Sequence, residues 1–113
     1  GKIVITDRYI DSTYAYQGAG RGISKSIIDN LVSQTEIMLP DRTILLDLSP
    51  EVGLKRASTR NELDRFESEN IEFHKRLRKS FLDAASTNPD RFLTIDAEQE
   101  PDKILQSVIN KLF

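Results

Sequence analysis

The chain has 113 residues, 38% of them apolar, enough for one domain with a modest core. A formal net charge of −2 gives no electrostatic reason to expect nucleic acid or an acidic membrane as partner. The absence of cysteine excludes a disulfide framework and a cysteine-ligated metal, as in a cytosolic protein, and no apolar run is long enough to span a bilayer.

In chain order, Ile3-Val4-Ile5 reads as a first strand of the kind buried in a parallel sheet, ending at Asp7-Arg8. Asp11 to Tyr16 predicts a short helical stretch, with Gly18-Ala19-Gly20-Arg21-Gly22 as a flexible turn after it. Ser24 to Met38 carries Ile27, Ile28, Leu31, Val32 and Ile37 at largely helical spacing, expected to pack in the core, with Ser24 as N-cap. Thr43 to Leu48 predicts a second strand. Ser49-Pro50-Glu51 then opens a helix, with a capping hydroxyl, a proline in the first turn and an acid at the positive dipole end. Residues 58 to 69 are charged and poor in apolar side chains, so a mobile segment is expected there. From Glu69 to Ala85 helical periodicity returns through Ile71, His74, Leu77, Phe81 and Leu82, with Glu72 and Arg76 spaced to pair. Phe92 to Ile95 predicts a third strand, and Pro101 starts a last amphipathic helix through Leu105, Val108 and Ile109. Strands separated by helices predict an α/β fold with a parallel sheet. Three strands are thin for so many helices, and a chain that starts at Gly1 and enters a strand at once reads as a cut end.

An apolar strand ending in Asp, followed by Arg, sets a carboxylate and a planar cationic fork at the strand's carboxyl end, where ligands of open α/β sheets bind. A strand end with an Asp turn and a surface Arg is the alternative. The glycines at 18–22 are not a phosphate loop: they do not join a strand to a helix and no Lys-Ser/Thr follows. His74, the single histidine, sits between apolar positions and reads as a partly buried structural residue.

The stretch D-R-Y-I-D-S-T-Y-A-Y-Q-G-A-G-R-G (7–22) resembles the D-R-[YH]-x-x-S-[ST]-x-A-Y-Q-G-x-x-R-G signature of bacterial thymidylate kinases. P-D-R-T-I-L-L-D-L-S-P-E-V-G-L-K-R (40–56) and R-N-E-L-D-R-F-E (60–67) resemble the same family, in the same order. The resemblance implies a P-loop, nucleoside-monophosphate-kinase-like three-layer fold, with residues 1–113 as the C-terminal part of one domain. No G-x-x-x-x-G-K-[ST] occurs in these residues, and this portion alone is expected to be inactive. The implied reaction moves the γ-phosphate of ATP to dTMP with Mg²⁺, in a cytoplasmic homodimer. The resemblance makes Arg8 the clamp on the acceptor phosphate and Asp7 the group orienting Mg²⁺ through water. It sets Thr13 and Gln17 against the thymine edge and Tyr16 under the deoxyribose, with Tyr9 and Arg21 bordering the pocket. It also makes 57–68 a lid over ATP, with Arg60 as an arginine finger and Arg65 as a second candidate. Arg56 would stack on adenine opposite Ala97, Glu98 and Gln99. Another nucleoside-monophosphate kinase is one alternative, and a non-catalytic nucleotide-binding or interaction module is the other.

Overall fold

The structure, a computed structural model, describes residues 1–59 and 69–113. A parallel pair of strands, β1 (Thr43–Asp47) and β2 (Phe92–Asp96), runs in register from Thr43 beside Phe92 to Asp47 beside Asp96. Helices α3 (Pro50–Thr59) and α4 (Ile71–Thr87) lie between the two strands in sequence, and α5 (Pro101–Leu112) follows β2. Ahead of β1 come α1 (Ile10–Thr13), a π-helical stretch (Tyr14–Gly20) and α2 (Lys25–Gln34). This is the expected α/β arrangement with parallel pairing.

Both strand predictions hold to within one residue. The third does not. Ile3, Val4 and Ile5 form no strand and are 85%, 86% and 91% exposed. A strand is held by the ladder it joins, and among the described residues β1 and β2 pair only with each other.

The helix starts follow local chemistry. Ser49 caps α3 by accepting from the Val52 N–H at 3.4 Å, as its sequence predicts. Asn70 caps α4 by accepting from the Phe73 N–H at 2.9 Å. Ser24 occupies the N-cap of α2 without a capping bond from its side chain; its hydroxyl meets that of Ser26 instead. Glu72 pairs with Lys75 and not with Arg76, whose guanidinium donates to the carbonyls of Ala19 and Gly20.

The core lies where the π-helical stretch meets α4. Ala15, Phe73 and Leu77 are buried there, with Tyr16 and Phe81 packed against them. Phe73 is only 2% exposed, yet it lies off the apolar stripe read from the sequence. At spacings of four and eight from Leu77 and Phe81, it widens the stripe to which those two already belong. In α2 only Ile28 is buried, while Ile27 and Leu31 stay exposed, so most of the expected core face is uncovered. The glycines are not the flexible turn expected of them. Gly18 and Gly20 belong to the π-helical stretch, and only Gly22, at φ +80°, takes a turn conformation that favours glycine.

Gly20 is where the two helical segments touch. A Cβ added there would lie 2.7 Å from Phe73 Cε2 and 2.9 Å from Leu77 Cδ1. Gly20→Ala is therefore expected to destabilise by about 1–2 kcal/mol, overpacking outweighing the gain of up to about 1 kcal/mol in helix propensity. A shift of the urea midpoint to higher concentration would show that the contact can open at no cost.

A partly buried ion pair anchors the first helix to the sheet. Arg91, beside β2, donates from Nη1 and Nη2 to the two carboxylate oxygens of Asp11, both at 2.8 Å, and from Nη1 to Thr43 Oγ1. Its hydrogen bonds to Asp11 raise the Arg91 guanidinium above its ordinary value.

Candidate functional site

Of the side chains singled out in the sequence, Arg8 and Tyr16 line a cavity at the carboxyl end of β1, and Arg56 meets Ala97 and Glu98 just after β2. Arg8 has φ +58°, in the left-handed region that a non-glycine residue enters at a cost. The turn directs its side chain forward onto the π-helical stretch. Nη2 of Arg8 donates to the Tyr16 hydroxyl at 3.0 Å, and the guanidinium carbon lies 4.8 Å from the Tyr16 ring centroid. Tyr16 in turn meets Phe73 edge-on, the ring centroids 6.4 Å apart. A cation on an exposed segment thus rests on an aromatic ring that leans on the core.

Thr13 ends α1, and Tyr16 and Gln17 follow it in the π-helical stretch. Gln17 is exposed and Thr13 half-buried. Tyr9 is exposed beside them. Arg21 turns elsewhere: it pairs with Glu69 at 2.8 Å and lies over the Phe73 ring.

Arg8 and Tyr16 form one wall of a cavity of about 330 Å³, within the range of small-ligand sites. Its other walls are the end of β1 with Ser49 and Pro50, and His74, Arg78 and Phe81 from α4. Asp47, at the tip of β1, accepts two hydrogen bonds from Arg78, from Nε at 2.9 Å and Nη2 at 3.0 Å. Those bonds raise the Arg78 guanidinium above its ordinary value and occupy the Asp47 carboxylate. His74 stands edge-on to Phe73, and its Nε2 is buried without a hydrogen-bond partner. A larger cavity of about 730 Å³ lies between α2 and α4. It holds none of the residues given a ligand role from the sequence; of its charged side chains Lys79 pairs with Asp83 and Arg91 with Asp11, Lys25 reaches Asp29, and Arg76 donates to backbone carbonyls.

The loop after β2 is stapled to α3. Arg56 donates from Nη1 to the Ala97 carbonyl at 2.6 Å and from Nη2 to the Glu98 carbonyl at 3.0 Å. Glu98 accepts the Ser49 N–H at 3.0 Å, and its own N–H is held by Asp96. The bonds from Ser49, then the charges of Arg78 and Arg56, hold the Glu98 carboxyl below the usual carboxylate range. Gln99 donates its side-chain amide to the Asp96 carbonyl at 2.9 Å. The structure therefore brings Arg56 together with Ala97 and Glu98, its in-plane hydrogen bonds fixing the orientation of the guanidinium faces. Of the lid expected over 57–68, residues 57 to 59 end α3; Arg60 and Arg65 lie outside the described residues.

Among the described residues no three His, Asp or Glu side chains cluster to hold a metal ion. Asp7 is a lone exposed carboxylate at the turn before Arg8. That fits Mg²⁺, which is held by one or two carboxylates together with water and substrate phosphates, and does not fit a dedicated protein cage. No helix among the described residues is long and apolar enough to cross a membrane.

The family model for thymidylate kinase matches residues 1–108. The thymidylate kinase of Maridesulfovibrio salexigens is 44% identical over an alignment covering 99% of this chain and 55% of its own length. That of Deinococcus radiodurans is 45% identical, with 92% of this chain and 51% of its own covered. A crystal structure of thymidylate kinase from Ehrlichia chaffeensis superposes with a TM-score of 0.66 at 33% identity, over 95% of this chain and 46% of that one. The chain spans about half the length of the curated relatives it matches.

Proposed function

This chain belongs to the thymidylate kinase family, and we propose that the whole protein transfers the γ-phosphoryl group of ATP to dTMP, giving dTDP and ADP. The observation that carries the reading is the junction of Arg8 with Tyr16 beside Thr13 and Gln17. Arg8 supplies a phosphate-matching fork, and Thr13 and Gln17, close to Tyr16 in sequence, supply polar groups that can match a pyrimidine edge. Phosphoryl transfer asks for positioned phosphates and compensated charge more than for covalent help from the protein.

In this reading Arg8 grips the dTMP phosphate bidentately and holds its oxygen in line with the donor. Asp7 would hold Mg²⁺ through a bound water, and the ion would supply positive charge against the phosphates. Thr13 and Gln17 meet the donor and acceptor atoms of the thymine edge. Tyr16 crowds the 2′ carbon of the sugar. Arg56 offers a guanidinium face to the adenine of ATP, with Ala97, Glu98 and Gln99 across the base. Arg60 is the proposed finger on the γ-phosphate and Arg65 its second. The protein acts in the cytoplasm as a homodimer, on small nucleotides and neither nucleic acid nor membrane.

The test is ADP release by the whole protein with ATP, Mg²⁺ and dTMP, UMP or AMP as acceptor. dTMP is expected to give the highest kcat/KM by at least about a hundredfold, well within the roughly 10⁴–10⁵-fold that a site hydrogen-bonding its ligand can reach against a mismatched one. Comparable rates with all three acceptors would move the assignment to a different monophosphate kinase. No turnover with any would favour a binding module.

A further inference from the structure

The proposed function uses Tyr16 as a steric wall, which requires only its ring. Its hydroxyl is the group that receives Arg8 Nη2 at 3.0 Å, with the guanidinium carbon 4.8 Å from the ring centroid. Resting on the reading of Arg8 as the phosphate clamp, we infer that Tyr16 is a positioning residue whose hydroxyl sets the orientation of the Arg8 fork.

Three features of the chain support this. Arg8 sits on a segment with little support of its own: Ile3, Val4 and Ile5 before it are exposed, and its backbone is at φ +58°. A long side chain in such a place samples many rotamers and loses that freedom whenever it binds. Tyr16, by contrast, packs against the buried cluster of Ala15, Phe73 and Leu77, edge-on to Phe73. It is the fixed member of the pair. Finally, an arginine fork has five donors, so one hydrogen bond to a hydroxyl leaves donors free for a phosphate. The hydroxyl and the ring together fix both the direction and the tilt of the guanidinium plane. A clamp oriented before its ligand arrives loses less entropy on binding.

The experiment is calorimetric titration of the whole protein with dTMP and, separately, with thymidine, which lacks the phosphate. The proteins compared are wild type, Tyr16→Phe, Arg8→Ala and the double variant. Tyr16→Phe keeps the ring, so its melting temperature should match wild type. It is expected to weaken dTMP by about tenfold, the scale of a lost hydrogen bond to a charged group, and to weaken thymidine by much less. In the Arg8→Ala background the second substitution should add nothing, since the hydroxyl acts through the guanidinium. Unaltered dTMP affinity in Tyr16→Phe would overturn the inference. So would an equal loss for thymidine, which would put the hydroxyl on the nucleoside, or additive losses in the double variant, which would put it on the phosphate directly. Wild-type protein that binds neither ligand would instead remove the kinase reading from beneath it.

Discussion

Arg8→Ala in the whole protein is expected to lower kcat/KM for dTMP by about 10²–10³-fold, the loss that follows removal of a preorganised donor to developing charge. The loss should be divided between a raised KM and a lowered kcat. A group that only bound the ground-state phosphate would change KM alone, and one that acted only in the transition state would lower kcat alone. As the proposed clamp, Arg8 is expected to do both, because the acceptor phosphate that it would hold would supply the attacking oxygen. Arg8→Lys should recover little. An ammonium is a point charge that can neither grip a phosphate with two parallel donors nor keep the fork geometry imposed by Tyr16. Steady-state kinetics over a range of dTMP at saturating ATP, with circular dichroism to confirm folding, measure all three proteins. A well-folded Arg8→Ala enzyme with wild-type kcat/KM would remove Arg8 from the reaction and the clamp assignment with it.

The sequence made much of this arrangement legible, for reasons that differ from element to element. β1 and β2 were readable because each is a short apolar run bounded by turn residues, and parallel pairing follows from the helices between them. The start of α3 was readable because Ser49 and Pro50 encode a helix start locally, and the Ser49 cap is present. Ile3 to Ile5 reads as a strand by composition, but strand formation depends on a neighbouring edge, which no local signal reveals. The failures at Gly18 and Gly20 have another cause. Glycine signals freedom in a turn and also permits close helix contact, and only the position of Phe73 decides between them. At the site, the resemblance named Arg8 and Tyr16 as separate ligand contacts, eight residues apart. Their mutual bond depends on the left-handed turn at Arg8, which nothing in D-R-Y encodes. Asp47 with Arg78, and Asp11 with Arg91, are long-range pairs of the same kind. A polar residue ending the apolar run T-I-L-L-D was the one available hint of Asp47, and it does not name a partner.

Phe73→Ala should be the most destabilising single truncation near the site, by about 3–5 kcal/mol. Phe73 is the largest fully buried side chain of the described residues, and its ring lies against the backbone of Gly20 on one side and the Tyr16 ring on another. Gly20 has no side chain with which to refill the space, so the cavity cannot close unless the π-helical stretch moves. Typical domains are stable by only about 5–15 kcal/mol, so the loss is a large fraction of the total. Equilibrium unfolding in urea measures it, through a lowered midpoint at an unchanged slope. The consequence for the site is separable from the loss of stability. Tyr16 leans on Phe73, and Arg8 leans on Tyr16, so truncation at 73 releases both at temperatures well below unfolding. dTMP affinity should therefore fall in Phe73→Ala protein that is still folded, while Phe73→Leu, which keeps most of the volume, should retain more of both properties. A folded Phe73→Ala protein with wild-type dTMP affinity would mean that the orientation of Tyr16 does not depend on the core. The route from buried ring to phosphate clamp would then be broken at its first step.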